Sequence, residues 1–217
     1  MTLLEFARGP GLQWALWIFL FGVLWRVVGS MLIMAKHDLS KPRRKHGVRD
    51  GLGTIVTRSL PAEPFEKRIR FQHLSGYAWH ITLFIAVLFF APHILFFKSV
   101  LGFGWPNLPN TAILVAAAIT TAILVALLIR RAIHPVQRLI SNADDYISVL
   151  MVLLPTVTGI LAFAHIGGPY QDLLAIHLLS VEAMFVWFPF GKLMHTALTF
   201  PSRYQAGSVF GRRGVKA

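Results

Sequence analysis

Nine histidines and no cysteine limit the chemistry open to this chain. Without thiolates there can be no disulfide, no cysteine-held iron–sulfur cluster, no c-type haem attachment and no thiolate zinc site. A neutral imidazole remains a good ligand, and two imidazoles can grip an iron porphyrin from opposite sides. The last apolar stretch, IHLLSVEAMFVWFPFGKLMH at 176–195, carries His177 and His195 near its two ends. They are 18 residues apart. At about 3.6 residues per turn that is about five whole turns, so on a continuous helix both would leave one face, about 27 Å apart. A histidine in an apolar segment is costly unless it has a partner. A haem lying between helices would supply one, and each of the two would then need a second histidine at its own depth.

The elements that must supply those depths are membrane spans. Of the 217 residues, 55% are hydrophobic and 14% charged, against about 25% charged in an ordinary soluble domain. Five apolar segments, about 12–35, 77–97, 111–131, 146–166 and 173–197, are long enough to cross a bilayer at about 20 residues each. The first is too long for a signal-peptide core and reads as an uncleaved span. The fold expected is an all-α membrane protein, a single five-helix bundle over 1–217 with one long basic loop at 36–76. That loop carries ten Lys/Arg, the 130–144 loop Arg130, Arg131 and Arg138, and the tail Arg203, Arg212, Arg213 and Lys216. The opposite ends hold only Arg8 and Lys98. The positive-inside rule therefore sets the N-terminus outside and the C-terminus in the cytoplasm. It also accounts for the net charge of +12 without nucleic acid. The two prolines of SLPAEPFEK, 59–67, interrupt any helix there, and the loop reads as a solvated segment near anionic lipid or as a docking surface for a soluble subunit.

Depth then sorts the histidines. His73, His80, His134 and His195 fall toward the cytoplasmic side, His93, His165 and His177 toward the outer side, and His37 and His46 in the basic loop. Spans two and five run in opposite directions, so His80 can meet His195 and His93 can meet His177. His80 and His93 are 13 residues apart, about 220° around an ideal helix, and do not share a face. Pro92 could kink the outer end and turn His93 inward, and His165 is the alternative outer ligand. No cluster shows the three close ligands of a zinc centre. Arg26, deep in span one, suits a haem propionate by its bidentate geometry. Arg130, Arg131 and Lys192 lie at similar depth and read as ordinary interface anchors. Glu182 is the single acid deep in a span, either hydrogen-bonded to a neighbouring helix or a proton acceptor, and Lys98 and Asp172 lie at the outer rim.

In these features the chain resembles the cytochrome b (gamma) subunits of respiratory nitrate reductases and similar anchors of quinone-linked redox complexes. The likeness covers most of the chain. It is carried by His177, Phe188-Pro189-Phe190, Lys192, Leu193-Met194 and His195 in the final span, by FLFGVLWR at 19–26, by NADDY at 142–146 and by WHITLFIAVLFFAPH at 79–93. It departs on span two. Where the nitrate reductase subunits place a second histidine ten residues after the first, this chain has Phe90, and His93 comes three residues later. The resemblance implies two bis-histidine b haems, the inner held by His80 and His195 and the outer by His177 with His93. It further implies a quinone as substrate, beside which Glu182 could accept protons and whose pocket Lys98 and Asp172 could shape, with a cytoplasmic iron–sulfur subunit and a separate catalytic subunit as partners and a prokaryotic cytoplasmic membrane as location.

The function expected is thus that of the quinone-reactive, electron-transferring subunit of an oxidoreductase complex. The direction of electron flow is set by the partner. Two other classes compete. One is a transporter or proton channel using the histidines and Glu182 as a relay, although no inverted repeat is evident. The other is a non-redox membrane anchor, which would need no paired histidines.

Overall fold

The computed structural model describes residues 1–34, 41–43, 47–61 and 66–215. His37 and His46, with Lys36, Arg44, Lys45 and Lys216, lie outside the described residues. The helices, in chain order, are α1 (Leu3–Arg8), α2 (Pro10–Met34), α3 (Gly47–Thr57), α4 (Glu66–Phe89), α5 (Ala91–Leu101), α6 (Asn110–Ile133), α7 (Pro135–Ile140), α8 (Ala143–Ala164), α9 (Tyr170–Trp187) and α10 (His195–Arg212). A 3₁₀ turn, Lys192–Met194, leads into α10. No strand occurs among the described residues, so the all-helical class read from the sequence is observed.

Three stretches are long and apolar enough to cross a membrane: Leu3–Ile33, Asn110–Ile133 and Ala143–Ala164. Two broken pairs, α4 with α5 and α9 with α10, raise the number to five if each pair is one span. The chain is therefore a multi-pass candidate with three to five spans. Exposed Trp14, Trp17, Phe21, Leu24 and Trp25 on α2 are what a lipid-facing helix presents.

The described residues form two compact units. The first comprises Met1–Ala15 and Arg70–Met184. Here α6 packs on α8, with Ala116, Thr120, Leu124 and Val152 buried. Small residues let the two backbones approach closely, as apolar helices in lipid require. Thr82 Oγ1 on α4 lies 2.7 Å from Thr120 Oγ1 on α6, which joins these helices through a hydrogen bond. At the basic end, Arg131 pairs with Asp145 at 3.0 Å and donates to Ser141 at 2.9 Å. Asp145 also closes a reciprocal cap with Asn142 at the start of α8, satisfying first-turn N–H groups. Arg130 lies over the ring of Phe71, 4.9 Å from its centre. Both arginines thus have partners within the chain.

The second unit comprises Leu16–Ile69 and Phe185–Ala217. Phe19 packs against Phe185 and Phe188, with ring centres 5.1 and 5.0 Å apart. Pro189 is fully buried and fills the space that Gly22 leaves open. The unit corrects two expectations. The segment 36–76 is not simply a loop: it contains α3 and the first turns of α4. Span five is not one helix through 173–197. It breaks after Trp187, where Phe190 N and Gly191 N both donate to Trp187 O at 3.0 Å. Pro189 has no N–H to offer the ladder, and its ring clashes with the carbonyl four residues back. The five continuous turns between His177 and His195 therefore do not exist.

Candidate functional site

The site begins at a broken helix. α4 ends at Phe89 and α5 starts at Ala91, inclined by 67°, with extended backbone at Phe90. Pro92 causes the break, since it cannot donate to the carbonyl of Leu88. A helix end leaves its last carbonyls without partners, and in an apolar medium each such group is costly. Three of them are met here. Trp105 Nε1 donates to Leu88 O at 2.6 Å, and Leu108 N donates to Phe89 O at 3.0 Å. His93 Nδ1 lies 3.1 Å from Val87 O. A carbonyl only accepts, so His93 is protonated at Nδ1 and carries its lone pair on Nε2.

That ring faces His177 of α9. The two ring centres are 6.3 Å apart and the ring planes differ by 20°. His177 is seated by α8. Its Nδ1 lies 3.3 Å from Thr158 Oγ1, whose own hydrogen goes to Leu154 O at 2.7 Å. The hydroxyl must then accept from Nδ1–H, which again puts the lone pair on Nε2. Ser180 lies 2.9 Å from Thr158 Oγ1 and donates to His177 O at 2.6 Å. Gly159 gives the ring its room: a Cβ there would lie 3.1 Å from His177 Cε1. Both imidazoles are half-buried. On both rings Nε2 is the nitrogen left to bind a metal or to relay a proton.

His165 stands apart. It caps α8 in the left-handed conformation, is exposed, and stacks on Tyr170 with ring centres 5.0 Å apart. Phe90, at the position where the resembled subunits carry histidine, packs on Phe163 and edge-on to His93. Glu182 belongs to the same unit. It is buried, and Oε1 has no hydrogen-bond partner among the described residues. It lies against Gly11, where any side chain would collide with the carboxylate. Beyond His93, a cavity of about 410 Å³ is lined by Ala91, Ile94, Leu95, Lys98, Trp105 and Asn107. Asp172 is exposed in the first turn of α9 and does not line it.

The other two candidate ligands fall in different units. His80, in the first, has Nδ1 2.6 Å from Gly76 O and its ring against Trp79. His195, in the second, opens α10 with Nδ1 2.8 Å from Lys192 O. Arg26 is exposed on α2. No group of three or more His, Cys, Asp or Glu converges among the described residues. Thr158, Gly159 and Ser180 are the site residues that the sequence reading missed. The signal was TVTG at 156–159, a polar run with a glycine inside an otherwise apolar span.

No protein-family model matches the chain. A protein of Nitratidesulfovibrio vulgaris (strain ATCC 29579 / DSM 644 / CCUG 34227 / NCIMB 8303 / VKM B-1760 / Hildenborough), described only as "Protein", is 27% identical over 206 residues. The match spans 93% of this chain and 91% of that protein.

Proposed function

We propose that this protein is a dihaem cytochrome b subunit of a prokaryotic respiratory complex. It crosses the cytoplasmic membrane five times, with its N-terminus outside, and exchanges electrons between a quinone and a cytoplasmic iron–sulfur partner. The observation that carries this reading is the facing pair His93 and His177. The two ring centres are 6.3 Å apart, and both rings are tied at Nδ1 by protein partners, the arrangement that orients ligating histidines and leaves Nε2 for an iron that the pair would hold.

A bound haem would supply one-electron storage at each level. The chain's own residues do the rest. His93 and His177 would hold the outer iron, and the resemblance gives His80 and His195 as the residues that would hold the inner one. The cavity beside α5 offers an apolar slot for a quinone ring, with Lys98, Trp105 and Asn107 as polar neighbours. Glu182, with an unsatisfied oxygen, can take a proton. Arg26 is the propionate partner proposed for span one. With no cysteine, the next redox centre and the substrate chemistry belong to other subunits.

The buried, unsatisfied Glu182 also suits a proton relay without haem, and one measurement separates the two readings. A reduced-minus-oxidised spectrum of the purified protein, with pyridine haemochrome quantification, should give two low-spin b haems per chain. A haem-free protein would reject the cytochrome reading.

A further inference from the structure

α3 has 11 residues, about half of what a bilayer crossing needs, yet it carries an apolar stripe left exposed among the described residues. Its first face is closed. Gly47, Gly51 and Thr54 are buried on α10, where a Cβ at Gly51 would lie 2.7 Å from the Tyr204 ring and one at Gly47 would meet Ser208 and Arg212. Asp50, the one acidic residue of the helix, is turned onto Gly211. The second face carries Val48, Leu52 and Val56, with Leu60 continuing the spacing just past the helix end. These four are 64%, 57%, 69% and 70% exposed. At about 100° per residue, the stripe is centred about 130° away from the α10 seam.

We propose that α3 is an interfacial helix, seating this stripe in the headgroup–acyl boundary of an anionic bilayer. The stripe is wholly aliphatic, without the Trp, Tyr and Arg anchors that concentrate at the centres of protein–protein interfaces. Cations border it instead. Arg49 flanks Val56 around the helix, and Arg58 precedes Leu60. Arg203 donates to Ser59 at 3.0 Å, and Arg43 N donates to Arg212 O at 2.8 Å, which gathers further cations at the two ends. An aliphatic face edged by arginines is the pattern of a helix lying in the membrane plane, and basic segments next to spans are drawn to anionic headgroups. The chain also keeps α3 beside the bilayer. Only residues 35–46 separate it from the apolar α2, and 58–65 from α4, while its seam partner α10 is itself the second half of a broken span pair. The inference does not depend on haem.

The test uses the full chain, whose lack of cysteine makes single labels direct. Leu52→Cys, Val56→Cys and Gly53→Cys variants, all at exposed positions, are labelled with a fluorophore in nanodiscs of phosphatidylcholine and phosphatidylglycerol. They are then quenched from the lipid or from water. Labels at 52 and 56 should sit about 5–10 Å below the headgroup boundary, with the label at 53 in water. Equal access of the aqueous quencher to all three positions would overturn the proposal. Protection of 52 and 56 that appears only when a soluble partner is added would overturn it as well and make the stripe a protein-docking surface.

Discussion

Thr158→Val removes the one hydroxyl that accepts from His177 Nδ1–H, at 3.3 Å, while keeping the side-chain volume. Donation from Nδ1–H makes the opposite nitrogen more basic and favours the oxidised metal bound to it. Losing it should therefore raise the midpoint potential of the haem held by His177. A single hydrogen bond contributes about 0.5–1.5 kcal/mol net. If all of it discriminates between oxidation states, the rise is about 20–65 mV, taking about 59 mV per tenfold for one electron. The shift should be confined to one haem, because Thr158 touches neither His80 nor His195. Ser180 keeps its bond to His177 O at 2.6 Å, so the α9 backbone should hold its place. The assay is a redox titration of the purified variant followed at the two α-bands, with haem content measured in parallel. Two haems at unchanged potentials would show that Thr158 does not orient a ligand, and an equal shift of both would show that the effect is not local.

The facing pair predicts that His93→Ala and His177→Ala each remove the same low-spin haem, while His165→Ala leaves both; loss of a haem in the His165 variant, measured by haemochrome, would transfer the ligand role. His80→Ala and His195→Ala should each remove the other haem, and full haem content in either would break the inner pairing. Glu182→Gln should retain both haems and reduction by dithionite but slow reduction by a quinol analogue, and an unaltered quinol rate in stopped flow would remove Glu182 from proton transfer. A reporter fused after Ala217 should be cytoplasmic and one inserted between Gly167 and Gly168 external, with the reverse labelling overturning the orientation read from the basic loops.

Much of the helical architecture was legible because uninterrupted apolar runs have few alternatives. α6 and α8 begin and end within a few residues of the expected 111–131 and 146–166. The break at Pro92 was also legible, since proline is the commonest cause of a sharp bend. α3 was not. Its residues 47–57 hold three glycine or threonine positions on one seam, Gly47, Gly51 and Thr54, and a stripe of three aliphatics. Low helix propensity and surrounding charge hid that pattern, and it makes sense only once α10 is present to receive the glycines. Thr158 was overlooked for a related reason. A threonine in a span usually bonds back to its own helix, as Thr121 does to Ala117 O, and its second contact depends on a neighbour that the sequence does not reveal.

The break after Trp187 alters the grounds on which His195 can be proposed as a ligand. Counting turns from His177 assumed a continuous helix, and Pro189 rules that out. What replaces the count is local. His195 is the first residue of α10, and its Nδ1 lies 2.8 Å from the carbonyl of Lys192 in the preceding turn. His80 is held the same way, 2.6 Å from Gly76 O, by a backbone carbonyl one turn back. Each carbonyl can only accept, so each ring carries a proton on Nδ1. His93 meets that condition through the orphan carbonyl of Val87, and His177 through Thr158. Four histidines are thus anchored at Nδ1, two by a carbonyl of the preceding turn, one by an orphan carbonyl at a helix end and one by a threonine hydroxyl on a neighbouring helix. A face count on ideal helices could not have found those anchors, because the backbone departs from ideality at the positions that do the orienting.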